Sequence, residues 1–511
     1  MAAAKTIQLD GESLTFSQLY SVALSGAPIA LASSAAKRMK ASRAVVERVV
    51  ASGATAYGVN TGFGELAEVR ISPDQIRQLQ LNLVRSHCCG IGALLSETEA
   101  RAMMVLRANA LAKGFSGVRP LVVETLCQML NRRVHPAIPS QGSVGASGDL
   151  APLAHLAAVT IGEGEANYEG ARVSGADAMK RAGIAPLALE AKEGLSLLNG
   201  TQGMLALLSL ALRDAQHICN TADIAAGLSL DALRGSPAAF DARIAAARPH
   251  VGAALTARNL VRLNAGSQIR ESHRAAEKDP RVQDAYSLRC TPQVHGAARD
   301  SIAQVSAVAT IELNSATDNP LVFAGGKRGG EIISGGNFHG QPLAMAADQL
   351  AVAFATLGGI SERRISYMTN PLTSLLPAFL TRNPGLNSGF MIAQVAAAAL
   401  ASELKALSMP HSVDSIPTSG DQEDYVSMGM SAARRLAPML ANLQRIVAIE
   451  LLAACQGIDL LAPLKTGTEA KRACDLVRSV APTLEADRPL APDIEAVAAL
   501  VRDGAFARML D

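Results

Sequence analysis

Apolar residues recur three and four positions apart over long stretches of the second half of the chain, the spacing that places them on one face of a helix. The pattern predicts helices over Gly203 to Leu233, Thr291 to Leu313, Gln341 to Met368, Ser388 to Leu407 and Ser431 to Cys455, all rich in alanine. The mainly apolar run Ala151 to Ile161 predicts another. Residues 1 to 150 read instead as short helices and loops. There Ser42 is placed to cap a helix through Val50 that stops near Gly53, and Ser96 with Glu99 forms a capping box for a helix ending near Lys113-Gly114. Pro120 suits a first helical position, with Val122, Leu126, Met129 and Leu130 on one face. Alternating patterns are scarce, and Tyr168 to Val173 and Leu321 to Ile333 are the candidates for small hairpins. The expected fold is mainly α.

Composition removes several function classes. A hydrophobic share of 49% in 511 residues excludes a largely disordered chain. Net charge of +2 gives no argument for nucleic acid or a membrane surface, and the basic stretch Lys37 to Arg48 reads as a solvated helix face. Seven cysteines in a chain this long are no disulfide framework, and no HExxH or CxxC spacing calls for a metal. Phe390 to Ala401 is apolar but shorter than the roughly 18 residues a membrane span needs. Met1 to Asp10 lacks a charged start followed by an apolar core. The expectation is a cytoplasmic protein without metal.

The chemistry centres on Gly142-Ser143-Val144-Gly145-Ala146-Ser147-Gly148-Asp149-Leu150. If the Gly148 amide nitrogen attacks the Ala146 carbonyl carbon, a five-membered ring forms, and loss of water together with the Ser147 hydroxyl leaves an exocyclic methylidene. Glycine gives an unhindered nitrogen and a backbone free to bend back, serine supplies the methylidene carbon, and alanine crowds the turn least. Ala-Ser-Gly alone is also compatible with a glycine-rich turn before a helix. By chance it occurs on the order of 0.2 times in a chain of this length.

The longer string through Ala151-Pro152-Leu153 resembles the cofactor loop of the histidine and aromatic amino-acid ammonia-lyases, whose prosthetic group is 4-methylideneimidazol-5-one (MIO). Tyr57 to Gly64, Glu193 to Gln202, Arg281 to Gly296 and Ser412 to Met428 match the same family in order. The resemblance implies a fumarase/aspartase-like fold, with a long central helical bundle and a smaller N-terminal domain. The corresponding division is 1–200 for the domain carrying the tyrosine and cofactor loops and 201–511 for the bundle and C-terminal helices. It further implies a homotetramer whose active sites take residues from three subunits. The MIO group would form autocatalytically from Ala146, Ser147 and Gly148, with no external cofactor.

Residue by residue, Tyr57 resembles the family's catalytic base. Its pKa near 10 has to be tuned or its strength has to come from orientation, and the glycines beside it predict a mobile loop able to close over substrate. Arg289 would clamp the substrate carboxylate as a fork, while Gln283 and Tyr286 resemble the family's polar wall around the ring. Asn199 would orient the ring and the substrate's polar end. Ser86-His87 occupies the side-chain selectivity pair, and Phe338 would pack on the substrate ring.

Glu423 stands where histidine lyases carry glutamate, and a carboxylate can accept an imidazole N–H but would be left unpaired against a phenyl ring. Two details pull toward tyrosine-acting relatives: Gly340-Gln341, where histidine lyases typically read Ala-Glu, and Tyr425, where they usually have His. L-histidine to trans-urocanate is the leading reaction. Tyrosine or phenylalanine lyase chemistry giving coumarate or cinnamate, a tyrosine 2,3-aminomutase, an aspartase-type elimination without a ring, and a helical scaffold are the alternatives.

Overall fold

The computed structural model describes residues 5–62, 66, 68–275, 277–279, 281–326 and 329–510. The fold is helical, with only two- and three-stranded sheets among the described residues. The chain divides into two compact units.

The first unit comprises Met1–Leu210, Ser306–Asp348 and Pro410–Arg434. Its helices include Ser33–Ser52, Ile76–His87, Glu97–Ala112, Pro120–Asn131, Leu150–Thr160 and Glu193–Leu198. The capping box at Ser96 and Glu99 forms as expected, and so does the proline start at Pro120. Ser42 caps nothing. The helix begins a turn and more earlier at Ser33, and Ser42 is buried inside it with its hydroxyl donating to Met39 O at 3.0 Å. That helix ends at Gly53 in the left-handed conformation (φ 69°), as the sequence suggested. Its basic residues are not all solvated: Arg43 lies inward and pairs with Glu190 at 2.9 Å and the Ala191 carbonyl at 2.9 Å.

Val45, Val46, Val59, Ile76, Ala191 and Val322 make a buried cluster under this helix. Both expected hairpins form, Glu165–Tyr168 with Ala171–Ser174 and Leu321–Ala324 with Gly330–Ile333. Two further pairings carried no alternation to betray them: a parallel one, Ile7–Leu9 with Ile29–Leu31, and Ile91–Leu94 with Pro139–Gln141. The second of these delivers the chain directly to Gly142.

The second unit comprises Ala211–Val305, Gln349–Met409 and Arg435–Asp511. Leu436–Leu460 is largely buried in it, packed by Met391–Leu407 and Ala491–Arg502. The helix expected over Ser431 to Cys455 is in fact two, Gly429–Arg434 and Leu436–Leu460, meeting at Arg435. Apolar on every side, the longer piece is a core helix by its pattern. Gln341–Thr369 and the stretch Gly429–Leu460 are long and apolar enough to cross a membrane, but 61% and 72% of their apolar windows are buried inside the fold.

Candidate active site

Eight of the expected site residues lie in the first unit on six separate pieces of chain, and five of them line one cavity of about 260 Å3. Tyr57, His87, Ser147, Asn199, Ser419 and Glu423 are its polar lining, with Leu83, Leu150, Leu195 and Leu198 among its apolar walls. Polar groups converging on an apolar pocket are the pattern of a small-molecule site.

Tyr57 sits in a turn that is fixed on both sides. The Asn60 side chain accepts from Ala56 N and donates to Ala54 O, both at 2.9 Å, while Val59 is buried in the apolar cluster. Gly58 has φ +71°, and a Cβ there would meet Leu195 at 2.6 Å. The expected mobile loop is thus a pinned turn at its start. Phe63 and Gly64 of the same motif lie outside the described residues.

The small-residue loop is held from three directions. Gly145 O accepts from Ser427 Oγ at 3.0 Å, and Val144 O accepts from Met428 N at 2.8 Å. Ser143 Oγ donates toward Gly148 O and Asp149 Oδ1. Asp149 is fully buried, its Oδ2 accepting from Met204 N at 2.8 Å. Burial pushes its carboxyl up to about 6, against the pull of the Met204, Ser143 and Gly203 donors. Gly148 has φ +75°, and a Cβ would stand 2.1 Å from Gly200 O, so no other residue fits. Ser147 Oγ donates to Glu423 Oε1 at 2.8 Å, and the other oxygen of Glu423 accepts from Thr418 Oγ1 at 2.7 Å.

Asn199 closes the helix Glu193–Leu198 and is buried. Its Oδ1 has no hydrogen-bond partner among the described residues. A buried acceptor left open is costly unless something occupies the space beside it. His87 Nδ1 lies 2.8 Å from Leu83 O, which fixes the proton on Nδ1 and leaves Nε2 with the lone pair. Burial holds His87 below the ordinary imidazole range, although the Leu83 carbonyl and Glu423 pull upward.

Phe338 is half-buried in the first unit and does not line the cavity. Gln283, Tyr286 and Arg289 belong to the second unit and do not line it either. There Tyr286–Arg289 is a single helical turn, and the Arg289 guanidinium stacks over the Tyr286 ring at 4.5 Å. Gln341 Nε2 donates to Ser412 O at 3.0 Å, and Tyr425 is 60% exposed. Neither is among the residues lining the cavity of its own subunit.

Sequence reasoning gave no role to Ser143, Asp149, Thr418 or Ser427. Their work is to hold other residues, and that depends on partners distant in the chain. Among the described residues no group of three or more His, Cys, Asp or Glu side chains is placed to hold a metal ion.

The family model described as aromatic amino acid lyase matches residues 14–479. The histidine ammonia-lyase of Koribacter versatilis (strain Ellin345) is 56% identical over 98% of this chain and 99% of its own. The crystal structure of histidine ammonia-lyase from Trypanosoma cruzi superposes with a TM-score of 0.91 at 44% identity, covering 99% of this chain and 95% of that one. A tyrosine aminomutase from Streptomyces globisporus superposes with a TM-score of 0.93 at 41% identity, covering 99% and 98%.

Proposed function

Because the chain belongs to the aromatic amino acid lyase family, we propose that it is an ammonia-lyase that converts L-histidine to trans-urocanate. The observation that carries the choice of histidine is Glu423: its carboxylate lines the same cavity as Tyr57, Ser147 and His87. Thr418 holds Oε2, while ring closure would remove the Ser147 hydroxyl that Oε1 accepts from. An imidazole N–H replaces that donor, whereas a phenyl ring would leave Oε1 desolvated without one. The high identity to relatives named histidine ammonia-lyase supports the same reading.

The residues present fit an MIO group formed from Ala146, Ser147 and Gly148. The loop is built of small residues, the glycine admits no side chain, and Asn199 Oδ1 is a buried acceptor with no donor among the described residues. Once formed, the ring supplies the electrophile that activates the substrate amine as a leaving group, and it requires no bound external cofactor.

The chain's own side chains do the rest. The Tyr57 phenolate oxygen removes the proton from the substrate Cβ. Glu423 accepts the imidazole N–H, and neutral His87 lines the same wall with its Nε2 lone pair. Asn199 orients the substrate's polar end. Arg289 binds the substrate carboxylate through a planar fork that lysine cannot reproduce.

Gln283, Tyr286, Arg289 and Phe338 do not line the cavity of their own subunit. We therefore place them in the reading as contributions from neighbouring subunits of a homotetramer, with shared sites. A cytoplasmic location, without membrane or nucleic-acid partners, belongs to the same reading.

The test is to incubate the purified protein separately with L-histidine, L-tyrosine and L-phenylalanine and follow the conjugated acid by ultraviolet absorbance. Urocanate as the dominant product supports histidine. Coumarate or cinnamate formed faster than urocanate would overturn it, and a β-amino acid product would move the protein to the aminomutases.

A further inference from the structure

The second unit contains a line of buried charge that the proposed chemistry does not use. Arg364 is completely buried and forks onto Glu450, Nε to Oε1 at 2.5 Å and Nη2 to Oε2 at 2.9 Å. Ser229 and Ser361 donate to the two oxygens of Glu450 at 2.8 and 2.5 Å. On its other side the guanidinium lies 3.4 Å from His295 Nε2, and His295 Nδ1 lies 2.8 Å from Asp223 Oδ1. Asp223 accepts also from Arg299 at 2.6 Å and Asn259 at 2.8 Å.

The two partners of His295 fix its form. A guanidinium can only donate to Nε2 and a carboxylate can only accept from Nδ1–H, so the imidazole is neutral. Burial favours the same state. The charges on Asp223, Arg299, Arg364 and Glu450 then cancel.

A buried network of this kind at best breaks even against apolar packing. In a bundle whose core is mainly apolar, it stabilises little that leucine would not. Besides a hydrogen bond from Arg299 Nε to Thr256 Oγ1 at 3.2 Å, it reaches out toward the segment that carries Arg289. Arg364 Nη1 donates to the Ser287 carbonyl at 3.3 Å, and Thr291 Oγ1 donates to the same oxygen at 3.1 Å. Ser287 belongs to the single turn Tyr286–Arg289, far too short to hold its own conformation. The preceding end of this segment is pinned separately. The Arg281 guanidinium donates to Leu233 O at 2.7 Å, and Asp284 Oδ2 accepts from Ser236 N at 2.7 Å. Arg289 in turn leans on the segment, with Nε donating to Asp284 O at 3.0 Å.

We propose that Arg364, fixed between Glu450 and His295, is a positioning residue for the reaction: its hydrogen bond to the Ser287 carbonyl sets the turn that carries Arg289 and thereby the grip on the substrate carboxylate. This rests on Arg289 being the carboxylate clamp. Arg364→Lys keeps the charge but cannot span Glu450, His295 and Ser287 O at once.

The experiment compares ligands with and without a carboxylate on the purified Arg364→Lys enzyme. The expected result is a rise of about tenfold or more in KM for the amino acid and in Ki for the product acid. Ki for the amine that histidine leaves on losing its carboxylate should change less than about twofold, because that ligand does not use Arg289. Equal changes for acid and amine, or no change in either, would overturn the proposal, since a merely structural role makes no such distinction. Arg289→Lys is measured alongside. If it shifts the acid-to-amine ratio and Arg364→Lys does not, the positioning role alone fails; if neither shifts it, the clamp reading fails as well. Should Arg364→Lys not fold, the double variant Arg364→Gln with Glu450→Gln decides on the same ratio, because it removes the donor to Ser287 O and both charges of the fork together. A larger rise for the acid than for the amine supports the proposal, and equal changes overturn it.

Discussion

Ser147 Oγ donates a 2.8 Å hydrogen bond to Glu423 Oε1, joining the centre of the small-residue loop to a carboxylate 276 positions later. The residue that would supply the methylidene carbon and the residue that would read the substrate side chain therefore share one cavity.

Replacing Glu423 by Gln keeps the shape and removes the charge that accepts the imidazole N–H. A hydrogen bond to a charged group contributes about 1.5–3 kcal/mol, so kcat/KM for histidine should fall about 10- to 100-fold. Activity on tyrosine or phenylalanine should hold or rise. Steady-state kinetics on the three amino acids check this, and an equal loss on all three would remove Glu423 from substrate selection.

Tyr57→Phe should lower kcat by about 10²- to 10⁴-fold, the usual contribution of a positioned base. The near-ultraviolet absorbance of the ring should persist, since Tyr57 takes no part in closing it. Turnover at wild-type rate would assign the base to another group.

Gly148→Ala and Gly340→Ala should differ. At Gly148 the added Cβ meets backbone, Gly200 O at 2.1 Å, at a positive φ. The variant should lack the near-ultraviolet absorbance and unfold at lower temperature. At Gly340 the Cβ meets side-chain atoms, Met204 Sδ at 2.6 Å and Ser427 Oγ at 2.8 Å, which can shift where a backbone carbonyl cannot. That variant should keep its absorbance and its preference among histidine, tyrosine and phenylalanine. A switch in preference there would show that Gly340 reads substrate after all.

His87 is held below the ordinary imidazole range chiefly by burial. In the pH interval below about 6.5 the unfolded chain binds this proton and the folded one does not. The contribution of His87 to stability is therefore complete above that value and is lost as pH falls through the lowered folded one. Thermal midpoints of wild type and His87→Asn, measured across this range, should converge toward acid. A constant difference between the two curves would contradict it.

The long helices were legible because apolar residues at three- and four-residue spacing dominate Gln202–Ala232, Thr291–Glu312 and Gln341–Thr369. The start of Ser33–Ser52 was not, because no side chain caps it: Ala32 stands at the N-cap and the serines that follow look like turn residues. The break at Arg435 was equally silent, since apolar periodicity continues straight through it. At the site, Tyr57, Ser147, Asn199 and Glu423 announced themselves through motif context. Asp149 and Thr418 could not, because each acts by holding a neighbour whose position only the fold supplies.

The most direct measurement is the mass of the proteolytic peptide containing Ala146, Ser147 and Gly148, from the wild-type protein and from Ser147→Ala. Closure of the ring predicts a wild-type peptide lighter than its sequence by two waters and a Ser147→Ala peptide at its full sequence mass, with activity lost in the variant. A wild-type peptide at full sequence mass in a preparation that still deaminates histidine would contradict the self-made electrophile.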